Sequence, residues 1–502
     1  MRHKENRITS RIALAIIASM VTIGMAAQTP AERPTRVVGT LVDGLNSDYL
    51  KLLKGYFGEG GFKRLMRDGV TLENVEYGPG VDRASATAMI FTGATASVNG
   101  ISASTIYDTE KKIDYPILLD PSKIGNYTNE TYSPSALLVS TLADEIRIDG
   151  GGTGYVYSIA PDATQAILMA GHAANACCWL DADTHKWVTT SFYPEGLPAA
   201  ADEMNMNGRI GILAEREWTP RMDIAMYNRP TEKERKRGFS YLNKEHLLHS
   251  PAANTLVIEM ALALQKAQQL GTDLIPDLLL LQLNTLSPQA QSDAIESAEQ
   301  EDMYMGINQD LGFLMEQLGK RIGKENYQIL VVGRPIKGHS STTLEMANLP
   351  IQTFNVDRAA ALTGTYLMAI YGHERWVDGG HGPFIYLNRM LIEKKRMSLE
   401  TIQRQVANFL MDFEGVQVAY PIHEAITSDH KHSIYRKHAG DVYFQLQDNW
   451  LLEANENTPF DQVIQSEPVA PVLYWSGTIT SFPEGKLQAT DIKSLIINGS
   501  TH

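Results

Sequence analysis

The sequence has little cysteine, no surplus of positive charge and, past its first residues, no long apolar run. Only Cys177 and Cys178 occur in 502 residues. Neighbouring cysteines do not bridge each other without strain, so the pair reads as two small buried apolar side chains in a protein that relies on its core. The formal charge of -14 argues against a nucleic-acid partner, which would call for a basic face. After the leader no stretch approaches the roughly 20 apolar residues of a spanning helix, so no transmembrane segment is expected in the mature chain. There is no internal repeat and no low-complexity tract. With 43% hydrophobic and 20% charged residues, the composition is that of a folded globular protein with a large core.

What is present begins with a leader. Arg2, Lys4, Arg7 and Arg11 precede the apolar run from Ile12 to Met25, and Ala26-Ala27-Gln28 follows. Basic, apolar and small-residue regions in this order make a secretory signal peptide. Residues 1–27 are therefore expected to be removed on export, leaving a periplasmic or otherwise exported domain over 28–502.

That domain alternates strand and helix. Val37 to Val42, Asp277 to Leu283 and Tyr327 to Val332 read as buried strands, with shorter ones at Gly154 to Ile159, Asp441 to Leu446 and Pro471 to Trp475. Gly60 to Gly69, Ala84 to Phe91, Ser135 to Ile146, Ser250 to Leu270 and Ser292 to Leu318 read as helices. The alternation predicts an α/β sandwich with a largely parallel central sheet flanked by helices. It lapses at about 171–243 and 336–424, which are expected to be irregular insertions, with helices near Leu391 and Ile402 in the second.

Several motifs follow one another in an informative order: Val42-Asp43-Gly44, Gly60-Gly61-Phe62-Lys63-Arg64-Leu65, Thr92-Gly93 with Asn99-Gly100-Ile101, Ala170-Gly171-His172-Ala173-Ala174-Asn175, Ser250-Pro251 with Asn254-Thr255-Leu256, and Ala439-Gly440-Asp441-Val442. Together they resemble the alkaline phosphatase superfamily, most of all the exported threonine-nucleophile alkaline phosphatases and their nucleotide pyrophosphatase/phosphodiesterase relatives. The resemblance implies that family's fold and a two-zinc phosphoryl transfer, in which metals held by Asp and His activate a Thr or Ser oxygen.

Carried over position by position, the resemblance implies a degenerate site. Asp43 matches the first metal-binding aspartate. Arg83 stands at the nucleophile position, and a permanently cationic guanidinium has no lone pair for attack. The substrate-contacting Asn falls at Ser104, and the Lys and Arg at Asp162 and Thr164. Asn284-Thr285-Leu286-Ser287-Pro288-Gln289 replaces an Asp and a His, Gly333-Arg334-Pro335 replaces Asp-His-Gly, and Val469 occupies the place of the last His. Only Asp43 keeps its metal-binding residue type, so no metal and no cofactor is expected, zinc returning only if ligands have relocated.

The residues that could rescue catalysis read more simply as structure. Ser85 and Thr87 suit helix packing, and Asp82 suits a helix cap. His339, Asp378 with His381, and Asp429-His430-Lys431-His432 with His438 suit solvated loops. An unneutralised Asp43 would need a cation, so a direct Asp43–Arg83 salt bridge is expected. The sequence thus points to an exported pseudoenzyme that binds or scaffolds, its partner another envelope protein. The alternatives are a phosphoesterase or sulfatase-like hydrolase with relocated ligands, or a phosphate- or sulfate-binding protein using Arg83.

Overall fold

The computed structural model describes residues 36–181, 183–239, 246–287, 297–335, 352–447, 450–453, 468–477 and 486–498. The leader and His339 lie outside these residues. A nine-stranded central sheet is built from β1 (Arg36–Asp43), β2 (Val70–Glu76), β3 (Gly125–Asn126), β4 (Val156–Ala160), β5 (Ala176–Asp181), β6 (Lys186–Thr190), β7 (Asp277–Asn284), β8 (Tyr327–Arg334) and β9 (Val469–Ser476). Their spatial order is β2-β9-β8-β1-β7-β4-β5-β6-β3. The five inner strands β8, β1, β7, β4 and β5 run parallel, and antiparallel strands close both edges.

The inner strands are apolar on both faces because both are covered. Val38, Val42, Leu279 and Leu281 face a core shared with the helices Gly61–Asp68, Pro251–Ala267 and Ala298–Ile322. Leu41, Leu278 and Leu280 face the opposite core with Arg83–Thr92, Leu142–Asp149 and Ala163–Ala170. Cys177 and Cys178 on β5 are both free and buried, one in each core, as the alternation of a strand demands. Among the described residues no helix is long and apolar enough to cross a membrane.

Three readings of the sequence need correction. The helix expected over 135–146 is a short 3-10 turn at Pro134–Ala136 and then a helix Leu142–Asp149. Thr141 sets the true start, because its side chain and that of Asp144 cap each other's backbone N–H groups. The segment 171–243 supplies β5 and β6 to the central sheet before it turns to short helices. The segment 336–424 is more ordered than expected. Its described part holds the helices Val356–Tyr371, Arg389–Lys394 and Leu399–Leu410. With Val442–Leu446 it also forms a four-stranded antiparallel sheet of Val377–His381, Phe384–Leu387, Val442–Leu446 and Val416–Pro421. This second sheet has its own core around Trp376, Ile385, Ile402 and Phe444. Its strands are four to six residues long, too short for a clear period in sequence.

Candidate functional site

The register of the sheet brings the chemistry together. β1 lies between β7 and β8, and Asp43 is in register with Asn284 on one side and Arg334 on the other. All three therefore sit at the carboxyl ends of parallel strands, where open α/β sheets carry their sites. The helix Arg83–Thr92 starts beside them. Asp82 caps it, accepting from Ser85 N at 2.8 Å while Ser85 Oγ accepts from Asp82 N at 2.9 Å.

The expected Asp43–Arg83 ion pair is present, with Nη2 of Arg83 2.9 Å from Oδ2 of Asp43. It is half of a larger cluster. Arg83 Nη2 also reaches Asp162 Oδ2 at 2.8 Å, and the fully buried Arg334 pairs with the other oxygen of Asp43. Two carboxylates thus face two guanidiniums, with Gln282 Nε2 donating to Asp43 at 2.9 Å. Arg334 Nη1 donates in addition to Arg83 O at 2.9 Å, Thr87 Oγ1 at 2.7 Å and Gln165 Oε1 at 2.5 Å. Burying a charge requires this kind of pairing and hydrogen bonding.

Each remaining residue has a definite place. Asp162 caps the helix Ala163–Ala170, accepting from Gln165 N at 3.0 Å. Ser104 gives its backbone N–H to Asp82 Oδ2 at 2.6 Å. Thr164 lies in the first turn of the capped helix, and Val469 pairs with Glu76 across β9 and β2. Ser85 and Thr87 are buried and spent on helix contacts, Thr87 Oγ1 donating to Gln165 Oε1 at 2.5 Å. His381 joins Asp114 through Nδ1 at 2.9 Å and Thr105 through Nε2 at 3.3 Å. Asp429–His432 form a 3-10 turn.

Residues that the sequence reading passed over complete the centre. His249 lies 2.7 Å from the Asn284 amide, and burial, then the Arg83 charge, pushes its pKa down to about 3, so it is neutral at pH 7. Tyr77 donates to Gly333 O at 2.5 Å from a fully buried phenol that burial holds well above its ordinary pKa. Gln282 and Gln165 are the legible signals: an amide inside the otherwise apolar run Leu278–Leu283 or the helix ATQAILMA must find a partner when buried.

These residues do not fit the two-zinc centre that the resemblance implies. Among the described residues no group of three or more His, Cys, Asp or Glu side chains gathers as a metal site. A unit charge about 4 Å from a like charge costs about 4 kcal/mol at an effective dielectric near 20, and a dication twice that. Arg83 and Arg334 would both oppose a metal at Asp43. Among the described residues, the hydroxyls of Ser85 and Thr87 near the centre are engaged in helix and amide contacts.

Comparison with known proteins places the chain. It is 26% identical over 417 residues to alkaline phosphatase PafA of Elizabethkingia meningoseptica, covering 78% of this chain and 76% of that protein. Alkaline phosphatase PhoV of Synechococcus elongatus is 30% identical over 321 residues, 60% of this chain and 58% of PhoV. The crystal structure of wild-type PafA superimposes with a TM-score of 0.81 at 24% identity, covering 92% of this chain and 94% of that one, so the fold is that of the alkaline phosphatase superfamily. The pattern of the type I phosphodiesterase / nucleotide pyrophosphatase family matches residues 37–471, and the chain belongs to that family.

Proposed function

We propose that this chain is an exported protein that keeps the alkaline phosphatase fold without its phosphotransfer chemistry. It serves as a non-catalytic binding or scaffolding component of the cell envelope, and its partner is another envelope protein. One observation carries the reading: Asp43 is bound by Arg83 and by Arg334, so two guanidiniums stand where the family's chemistry needs metal and nucleophile. The rival reading is a phosphoesterase or sulfatase-like hydrolase with relocated ligands, favoured by relatives that are named alkaline phosphatases. Anion capture by Arg83 is weaker, because that guanidinium already serves Asp43 and Asp162.

Zinc analysis of the purified mature protein, together with hydrolysis of an aryl phosphate ester, tests the reading. The expected result is no bound zinc and no turnover, with PafA as the positive control. About two zinc ions per chain with turnover would establish the rival.

A further inference from the structure

Beside the ion-paired centre lies a cleft of about 510 Å³ between the hairpin Thr105–Asp108 and Ile113–Pro116 and the second sheet. This volume is in the range of small-molecule sites, roughly 300–1,000 Å³. Its wall is aromatic: Tyr107 and Tyr386 meet at 4.9 Å with planes tilted by 49°, and His381 stacks on Tyr107 at 6.1 Å. Among the described residues that line it, Asp82, Asp114, Asp357 and Glu453 supply four carboxylates against one ammonium, Lys112, and the His381 imidazole, which contacts Asp114 at 2.9 Å. That ammonium is 3.8 Å from Asp378, which offsets it. Asp82 is occupied by the Ser85 and Ser104 N–H groups, but Asp114 keeps 42% of its side chain exposed and Asp357 is exposed in the first turn of its helix.

The same carboxylates act on the phenols, after burial. Burial, then the carboxylates of Asp378 and Asp114, raises Tyr107 above its ordinary pKa; burial, then Asp114 and Asp441, raises Tyr386. His438 adds no positive charge at neutral pH, because burial and the nearby Lys437 lower its pKa. An aromatic wall with fixed carboxylates attracts a cation through both charge and ring quadrupole, and a nucleotide phosphate in the same cleft would meet like charges.

We propose that this cleft binds an organic cation of the polyamine class, its ammonium groups at Asp114 and Asp357 and its alkyl chain along Tyr107 and Tyr386. The inference rests on the non-catalytic binding reading and supplies that reading with a ligand class. Thermal denaturation of the full mature chain with spermidine tests it, with 1,8-octanediol as the uncharged control and adenosine monophosphate as the anionic one. Spermidine is expected to raise Tm saturably, as a ligand of the folded state must. The double variant Asp114→Asn/Asp357→Asn is expected to weaken that binding at least tenfold, and Tyr107→Leu several-fold, while Glu203→Gln on a distant exposed helix leaves it unchanged. The proposal is overturned by no shift, by an equal shift with octanediol, by undiminished affinity in the double variant, or by adenosine monophosphate binding instead. Zinc and turnover in the assay above would reject the non-catalytic reading and leave the spermidine result standing on its own.

Discussion

At the scale of residues, the balance at Asp43 decides the protein's character. A carboxylate at a strand end with no exposure to water is tolerable only while positive charge surrounds it. Asp43→Asn leaves the buried Arg334 and the nearly buried Arg83 without their shared anion, and it is expected to cost about 3–5 kcal/mol in urea denaturation, the usual range for breaking a buried pair. Adding Arg334→Met should return part of that loss, and a double-mutant cycle would measure the coupling; strict additivity would show that the two do not interact. Arg83→Thr restores a hydroxyl but neither Asn284 nor Arg334 becomes a metal ligand. No aryl phosphate turnover is expected from it, and measurable turnover would mean that metal binds elsewhere near Asp43. Arg334 shows what one sequence reveals and what it does not. Its residue type departs from the Asp that the resemblance implies there, but only the register with Asp43 shows that its charge meets that carboxylate.

At the scale of elements, capping carboxylates tie helices to the centre. Asp162 starts the helix Ala163–Ala170 and also holds Arg83. Asp162→Ala is expected to destabilise by about 1–2 kcal/mol, near the upper part of the range for a lost cap, and a chemical-denaturation change under about 0.3 kcal/mol would deny it both roles. Asp144 joins two other elements. It caps Leu142–Asp149 and accepts from the His172 N–H at 2.7 Å and from His172 Nδ1 at 3.2 Å. The hydrogen bond to Asp144, set against burial, raises His172 above its ordinary value of 6.5. Unfolded His172 therefore releases its proton near pH 6.5, folded His172 at higher pH, and the contribution is complete below 6.5 and lost as pH rises through the folded value. Stability of the native protein should fall over that window and that of His172→Gln should not; parallel pH profiles would exclude the effect. The T-x-x-D cap at Thr141 is readable in the sequence, yet the helix expected from residue 135 starts seven residues too early.

At the scale of the whole molecule, a cluster of two carboxylates and two guanidiniums pairs Asp43 without a metal, and the proposed non-catalytic reading implies a stability that does not depend on one. Millimolar EDTA is expected to leave Tm unchanged; a drop of several degrees would reveal a structural or catalytic ion, because removing a ligand of the native state must destabilise it. The strand and helix alternation, both faces of the inner strands and the family resemblance were determined by the sequence alone. They depend on local periodicity and on ordered motifs that survive without knowledge of contacts. The departures from the two-zinc pattern at Arg83, Asn284 and Arg334 were also there to be read, since residue type limits chemistry. Tertiary structure alone decided that Arg334 and Asp43 share a register, that Gln165 and Gln282 turn into the centre, and that Tyr107, Asp114 and Asp357 share a cleft with Tyr386. Apart from Tyr107 and Asp114, which pair across one hairpin, these residues lie tens to hundreds of positions apart, and their meeting is fixed by the pairing of strands and the packing of a second sheet with short strands, which no local pattern encodes.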